Sequence, residues 1–211
     1  MGFHSKIEFL NWLKNQSSPN PKPKKQTSTK QKQYIWTPNL NQPQTSCMRR
    51  NLEESILYHL PFEASEEQAY LVKKISRFCM PNTSDEIFTL RGFAGTGKTS
   101  LLGALAQSLY HLKRPFFLLA PTGRAAKVLQ GKTKSPTSTI HKHIYQSKVD
   151  SNGFTSFLPK VNTKEGALYI VDESSMIPHS VNASEVHQNQ SVLEDLIQFV
   201  FQKPNNKLIL V

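Results

Sequence analysis

The stretch "RGFAGTGKTS", residues 91–100, combines glycines, a lysine and hydroxyl side chains. Its glycines free the backbone to turn several N–H groups toward one point. The spacing Gly-x4-Gly-Lys-Thr is typical of the P-loop, a cradle for nucleotide phosphates, in which Lys98 reaches the β- and γ-phosphates and the Thr99 hydroxyl ligates Mg²⁺. We therefore predict a site for ATP and Mg²⁺ whose nucleotide contacts are Gly92, Ala94, Gly95, Thr96, Gly97, Lys98, Thr99 and Ser100.

A second candidate for chemistry is the acidic pair that ends "ALYIVDE" at residues 167–173. Carboxylates at the C-terminal tip of a parallel strand lie where open α/β sheets bind ligands. We expect Asp172 to support Mg²⁺ together with Thr99, and Glu173 to take a proton from attacking water. The catalytic residues predicted in this way are Lys98 and Glu173. The alternative is an acidic turn after a buried strand.

Gln68 has two interpretations. It stands three residues after Ser65, so the pair can form a capping box at the start of a helix. It also lies ahead of the glycine loop, where its amide could hydrogen-bond adenine. Both roles can hold together, and we include Gln68 among the nucleotide contacts.

The stretch "APTGRAAKVL" turns from a strand into a helix whose first amides can hold a phosphate that does not belong to the nucleotide. Arg124 and Lys127 are three residues apart and share a helical face, where they can support that contact. The predicted nucleic-acid contacts here are Pro121, Thr122, Gly123, Arg124 and Lys127. An ordinary strand–helix connection with solvated basic residues is the alternative.

Residues 138–160 interleave basic and aromatic side chains, a composition that suits single-stranded nucleic acid because bases stack while phosphates pair with cations. Alternatively, Phe154 and Phe157 anchor a hairpin to the core. His141 and His143 have no third ligand in view, so a metal site is not expected.

Apolar segments that alternate with helical patterns predict an α/β domain with a parallel sheet covered on both faces. The predicted strands have no polar face, as expected for strands buried between two layers of helices. They are residues 86–90, 116–120, 167–171 and 207–211. The predicted helices occupy residues 65–78, 99–112, 124–129 and 192–201.

The net charge of +11 is concentrated in parts of the chain. Residues 1–50 hold nine basic residues against one acidic residue, and residues 131–166 hold six against two. Such segregation indicates a polyanionic partner, with a solvated basic segment as the alternative. We predict a mostly disordered basic tail over 1–50 and a partial P-loop motor domain over 51–211.

The sequence also bears on the cellular compartment of the protein. Neither a signal peptide nor an apolar run of membrane-spanning length is present, and two cysteines are too few for a disulfide framework. We therefore expect a cytoplasmic protein without a membrane partner.

Four segments together resemble the N-terminal motor domain of RecD-like superfamily 1B DNA helicases, which include the exodeoxyribonuclease V alpha subunit. They are "GFAGTGKTS", "APTGRAAKVL", "STIHK" and "YIVDESSM", and the resemblance covers about residues 60–211. It implies a RecA-like fold and ATP-driven 5′-to-3′ movement on single-stranded DNA in recombination or repair, with helicase or nuclease partner subunits as candidates. It also implies that Gln68 senses adenine and that Thr122 and His141 contact the strand.

The family continues beyond the motifs found here, into a γ-phosphate sensor and a second motor domain with an arginine finger. From that departure we expect the chain alone to hydrolyse ATP slowly and not to unwind duplex DNA. Arg91, Arg114 and Arg124 are local candidates for a substitute finger. The other hypotheses are a non-catalytic nucleotide- and DNA-binding remnant and an unrelated P-loop ATPase.

Overall fold

The computed structural model describes residues 2–3, 45–81, 83, 86–93, 95–149, 155–177 and 191–211. Its strands are β1 (Gly2–Phe3), β2 (Ile87–Thr89), β3 (Phe116–Ala120), β4 (Thr137–Thr139), β5 (Tyr145–Val149), β6 (Thr155–Pro159), β7 (Leu168–Val171) and β8 (Lys207–Leu210). Its α-helices are α1 (Thr45–His59), α2 (Glu66–Phe78), α3 (Lys98–His111), α4 (Gly123–Thr133), α5 (Ile140–Ile144) and α6 (Val192–Val200).

The main sheet has the strand order β1-β2-β8-β7-β3-β4. The five strands from β2 to β4 are parallel, and the two-residue β1 pairs antiparallel with β2 at the edge. The predicted α/β fold with a parallel P-loop-type sheet is confirmed. Strand β8 separates β2, which leads into the glycine loop, from β7, which leads into the acidic pair. Strands β5 and β6 form a separate antiparallel hairpin.

Helices α1 to α4 cover the first face of the sheet. Their apolar side chains and those of the strands form one core, dominated by aliphatic residues. Each such side chain contributes about 1.5–3 kcal/mol when it leaves water. Its fully buried members include Leu52 and Ile56 of α1, Val72 and Ile75 of α2, and Leu102, Leu105 and Leu109 of α3.

Helices α5 and α6 cover the second face. Here the core contains a ring cluster in which Phe117 stacks on Tyr169 at 4.9 Å between ring centroids and lies 4.8 Å from His143. Phe199 of α6 packs edge-on against His143 and Tyr169. The second face therefore contains polar groups within its core.

The four predicted helices and four predicted strands are all present, with ends shifted by a few residues. Helix α2 begins with the predicted capping box, since the Ser65 and Gln68 side chains each bond the other's backbone N–H. The sequence patterns missed α1, α5, β1 and β4, and the hairpin of β5 and β6 corresponds to the alternative given for residues 138–160. The triplet that forms β4 is "TST", which is polar and becomes a strand through its pairing with β3.

Helix α1 begins at Thr45 and so crosses the predicted boundary at residue 50. Most of the predicted basic tail lies outside the described residues, and the division of the chain stays a prediction. Among the described residues, the helices are too short or too polar to span a bilayer.

Candidate nucleotide-binding site

The loop between β2 and α3 depends on glycine at specific positions. Gly95 and Gly97 adopt φ values of 81° and 83°, in the left-handed region that favours glycine. Space at Gly92 is tight, because a Cβ there would lie 3.0 Å from the Thr96 hydroxyl oxygen and Thr96 would have to shift. Gly97 is also the residue that immediately precedes helix α3. The backbone therefore has the form of an anion cradle at the start of a helix.

Lys98 lies across this loop. Its Nζ donates to the carbonyl oxygens of Gly92 at 2.6 Å and Phe93 at 2.9 Å. The Thr96 hydroxyl donates to the same Phe93 oxygen at 2.9 Å. The ammonium group is therefore held beside the amides that a phosphate would use. Ala94, which we also predicted as a contact, lies outside the described residues.

Thr99 and Ser100 follow in the first turn of α3, where both are half-buried. The first intrahelical bond runs from the Leu101 N–H to the Gly97 carbonyl at 2.9 Å. Earlier amides of the helix thus have no intrahelical acceptor, and the positive end of the helix dipole lies at the same point.

The acidic pair follows β7 at the same edge of the sheet. The Asp172 N–H donates to the Leu119 carbonyl at 3.0 Å, and the Asp172 Oδ1 accepts from the Glu173 N–H at 3.1 Å. Burial raises the pKa of Asp172, against the bond from the Glu173 amide. The positive charges of Lys132 and Lys98 lower it slightly. Because β2 and β7 are parallel strands of one sheet, Lys98 and Asp172 follow strand ends at the same edge.

Glu173 has a left-handed backbone with φ 55°, a conformation that costs a non-glycine residue of order 1–3 kcal/mol. The following turn is tied down, because the N–H and hydroxyl of Ser174 both donate to the Val211 carbonyl, at 2.7 and 2.9 Å. The Val211 N–H in turn donates to Val171 at 2.9 Å. The end of β8 therefore holds the acidic turn in place while the Glu173 side chain stays exposed.

These residues fit Mg·ATP. The glycine loop offers backbone N–H donors in left-handed and helix-start geometry, which suits phosphate oxygens. The Thr99 hydroxyl and the Asp172 carboxylate are oxygen ligands of the kind that Mg²⁺ prefers. Among the described residues, no group of three or more His, Cys, Asp or Glu side chains suits a separate metal ion.

Gln68 links helix α2 to the glycine loop. Its Oε1 accepts from the Ser65 N–H at 3.1 Å, and its Nε2 donates to the Thr96 carbonyl at 3.3 Å. The predicted capping box is therefore confirmed, and the side chain also contacts the glycine loop. Neither bond tests the predicted contact with adenine.

The predicted nucleic-acid contacts lie on a neighbouring part of the same edge. Thr122 caps helix α4, and its Oγ1 accepts from the Ala125 N–H at 3.1 Å. Gly123, Arg124 and Lys127 are exposed, and Pro121 is half-buried. Thr122 follows β3 and exposed His141 follows β4; these parallel strands pair Ala120 with Thr139. The two predicted clusters therefore lie beside each other.

The stretch after His141 forms helix α5 and the β5–β6 hairpin. Phe157 is exposed on the hairpin, and Phe154 lies outside the described residues. The hairpin base is anchored by the Tyr145 hydroxyl, which donates to Asp195 of α6, and by Lys160 Nζ, which donates to the Lys142 carbonyl at 2.6 Å.

His143 belongs to the ring cluster of the second face. Burial, with a smaller effect from Lys160, lowers the pKa of its side chain from 6.5 to about 4. Its ring is thus neutral near pH 7 and packs among the aromatic rings of the second face.

Arg114 is not placed as an arginine finger. Arg114 lies just ahead of β3, at the opposite edge of the sheet from the acidic pair. Its guanidinium donates to the carbonyl of Cys79 at the end of α2. Arg91 and Arg124 are exposed near the C-terminal edge.

A family model described as an AAA domain matches residues 63–189, more than half of the chain. The protein belongs to this family, and its domain is a P-loop, helicase-like nucleotide-binding domain. The matched residues include the glycine loop, the acidic pair and the strand–helix turn at Thr122.

Sequence patterns missed two residues near the site. Lys132, in the last turn of α4, lies close enough to Asp172 for its charge to lower the pKa of that carboxyl group. Phe62 lies against Gly97, where a Cβ would be 3.2 Å from the Phe62 Cζ. No local motif marks either residue, because both reach the site through the packing of helices on α3.

Proposed function

We propose that this domain is the ATP-hydrolysing motor of a DNA helicase that moves 5′ to 3′ on single-stranded DNA in recombination or repair. The single observation that supports ATP hydrolysis is the placement of the glycine loop and the acidic pair at one edge of the sheet, where the parallel strands β2 and β7 end. This arrangement offers a phosphate cradle and a carboxylate pair from two separate segments of the chain.

In this proposal Lys98 leaves its loop carbonyls to bind the β- and γ-phosphates. When bound, Mg²⁺ would supply positive charge for the phosphate oxygens, and Thr99 and Asp172 are the residues that would hold it. Glu173 accepts the proton of the attacking water. Its backbone N–H donates to Asp172, while its side chain is exposed at the surface.

DNA is the proposed partner because the edge that carries the nucleotide site continues into a basic surface. Thr122 and His141 follow neighbouring parallel strands, and exposed Arg124 and Lys127 flank them on α4. One strand, β3, separates β7 from β4. A conformational change at the acidic turn after β7 would therefore occur next to the turn after β3, where we propose that a phosphate of the nucleic acid binds.

The test of catalysis is the ATPase rate of the purified chain with and without single-stranded DNA. We expect DNA to raise the rate, and Lys98→Ala to lower it by about 10²–10³, as for the loss of one electrostatic donor to a developing charge. Lys73→Ala is the control, since Lys73 is exposed on α2. A chain that binds Mg·ATP and DNA but turns over no ATP under any condition is a non-catalytic binding module.

The test of the DNA surface is the salt dependence of binding. Replacing both Arg124 and Lys127 with Ala should weaken binding to any single-stranded sequence and reduce the slope of log K against log salt by about one to two. A control with Ala at Lys73 and Lys74 on α2 should leave the slope unchanged. Equal slopes for the two double variants would remove α4 from the DNA-binding surface.

A further inference from the structure

The C-terminal end of β8 is hydrogen-bonded to both halves of the nucleotide-binding site. The Leu210 carbonyl accepts from the Leu90 N–H at 2.8 Å, immediately ahead of the glycine loop. The next carbonyl, that of Val211, accepts from the N–H of Ser174 at 2.7 Å and from its hydroxyl at 2.9 Å. Two consecutive carbonyl groups therefore connect the glycine loop and the acidic turn to one strand end.

The Ser174 hydroxyl is not needed to form the turn itself. The turn is a 3-10 helix over Ser174–Met176, and it closes through the bond from the Met176 N–H to the Glu173 carbonyl at 3.0 Å. Any residue at position 174 could also donate its backbone N–H to Val211. The half-buried hydroxyl is therefore an additional bond between the acidic turn and β8, and it requires a serine or threonine side chain.

Glu173 is the residue whose direction depends on this bond. Its φ of 55° lies in the left-handed region, which is unfavourable for a residue with a side chain unless the surrounding structure holds it. Its side chain is exposed, so the backbone and not core packing sets its direction. The backbone is held on one side by the bond from the Glu173 N–H to Asp172 and on the other by Ser174.

We propose that Ser174 is a positioning residue for hydrolysis: its hydroxyl, bonded to Val211, holds the left-handed turn that directs the Glu173 carboxylate toward the attacking water. A general base must lie within hydrogen-bond reach of the proton that it takes, so a small rotation of this turn lowers the rate. Ser174 itself does not contact the nucleotide. This inference rests on the proposed ATP hydrolysis and deepens it by adding a residue that affects the rate and not the affinity.

The first test separates kcat from nucleotide affinity. Ser174→Ala removes the hydroxyl and keeps the backbone bond, and it should lower kcat for ATP about three- to tenfold, the effect of one hydrogen bond on a barrier. The dissociation constant for Mg²⁺ with a non-hydrolysable ATP analogue, measured by isothermal titration calorimetry, should stay within about twofold. Ser174→Thr keeps the hydroxyl and should restore kcat to within about twofold of the wild type.

Ser135→Ala is the matched control. Ser135 is also half-buried, and its hydroxyl donates to the Thr133 carbonyl at 3.3 Å. It lies between α4 and β4, at the opposite edge of the sheet from the acidic turn. This variant should leave both kcat and the dissociation constant unchanged.

Amide hydrogen exchange is a second readout that needs no ATP. In Ser174→Ala the amides of residues 173–176 should exchange faster, while those of α3 should not change. Unchanged exchange in the turn, a kcat equal to that of the wild type, or a threonine variant as slow as the alanine variant overturns the inference. A loss of affinity as large as the loss of rate overturns it as well.

A failure of the proposed function gives a different result. If the wild-type chain hydrolyses no ATP with or without single-stranded DNA, the hydrolytic function is wrong and Ser174 has no rate to influence. The exchange measurement then still shows whether the hydroxyl holds the acidic turn against β8.

Discussion

The two faces of the sheet are buried by different means. On the face of α1 to α4, aliphatic side chains fill the space, and Leu105 and Leu109 of α3 are fully buried. On the face of α5 and α6, His143 lies among aromatic rings, and Asn162 donates to the Tyr169 hydroxyl at 2.9 Å and the Phe199 carbonyl at 3.0 Å. The core of the first face is thus stabilised by close packing of aliphatic side chains, and the core of the second face by specific polar contacts. The stability of the second face should respond to pH, and that of the first should not.

The largest effect is expected on the first face. Leu105→Ala removes a fully buried side chain of α3 and should cost about 2–5 kcal/mol of unfolding free energy. The loss should be equal at pH 5 and pH 7, since no charge is involved. Urea denaturation at both pH values measures it, and Leu112→Ala, at a position 37% exposed, should cost far less.

The second face should weaken in acid through His143. Its pKa is about 4 when folded and 6.5 as the ordinary value, so the unfolded chain binds more protons between these limits. The stability contribution is complete above pH 6.5 and falls with pH, by about 2 kcal/mol at pH 5 and about 3 kcal/mol at pH 4.

His143→Phe keeps a ring in the cluster and removes the titration. Its unfolding free energy, followed by urea denaturation from pH 4 to pH 7.5, should lack this component of the pH dependence. If the wild type and the variant lose stability in parallel, another group causes the acid sensitivity of the second face.

The smallest effect concerns the hairpin at the edge of the second face. Tyr145→Phe removes the hydroxyl that donates to Asp195 and should cost about 1–2 kcal/mol. Amide hydrogen exchange should become faster in β5 and β6 without a change in α3. Tyr58→Phe, at an exposed position of α1, should leave exchange in the hairpin as it is. Unchanged protection of β5 and β6 in Tyr145→Phe would show that other contacts hold the hairpin.

The sequence predicted most of the first face because its signals are local. The glycines at 95 and 97 specify left-handed backbone, and residues 116–120 are apolar throughout, as a strand buried on both sides must be. The position of the acidic turn followed in the same way, because it comes directly after an apolar strand and ligands bind at the C-terminal ends of such strands.

Apart from helix α6, the second face could not be predicted in this way, because its elements are defined by distant partners. Strand β4 exists through its pairing with β3, and the hairpin is placed by Asp195, which lies 50 residues after Tyr145. His143 is separated by long stretches of chain from the Phe117 and Tyr169 rings that surround it. The same limit hid Phe62 and Lys132, which reach the nucleotide site through helix packing.

Strand β8 lies between the strand that leads into the glycine loop and the strand that leads into the acidic pair. Adjacent strands are about 4.8 Å apart, so this single intervening strand sets a gap of about 10 Å between the two halves of the site. The width of the gap is therefore fixed by backbone hydrogen bonds in the middle of the sheet and not by any side chain that faces the ligand. A distortion of β8, such as a bulge, would change how far apart the metal ligands stand while leaving every one of them intact.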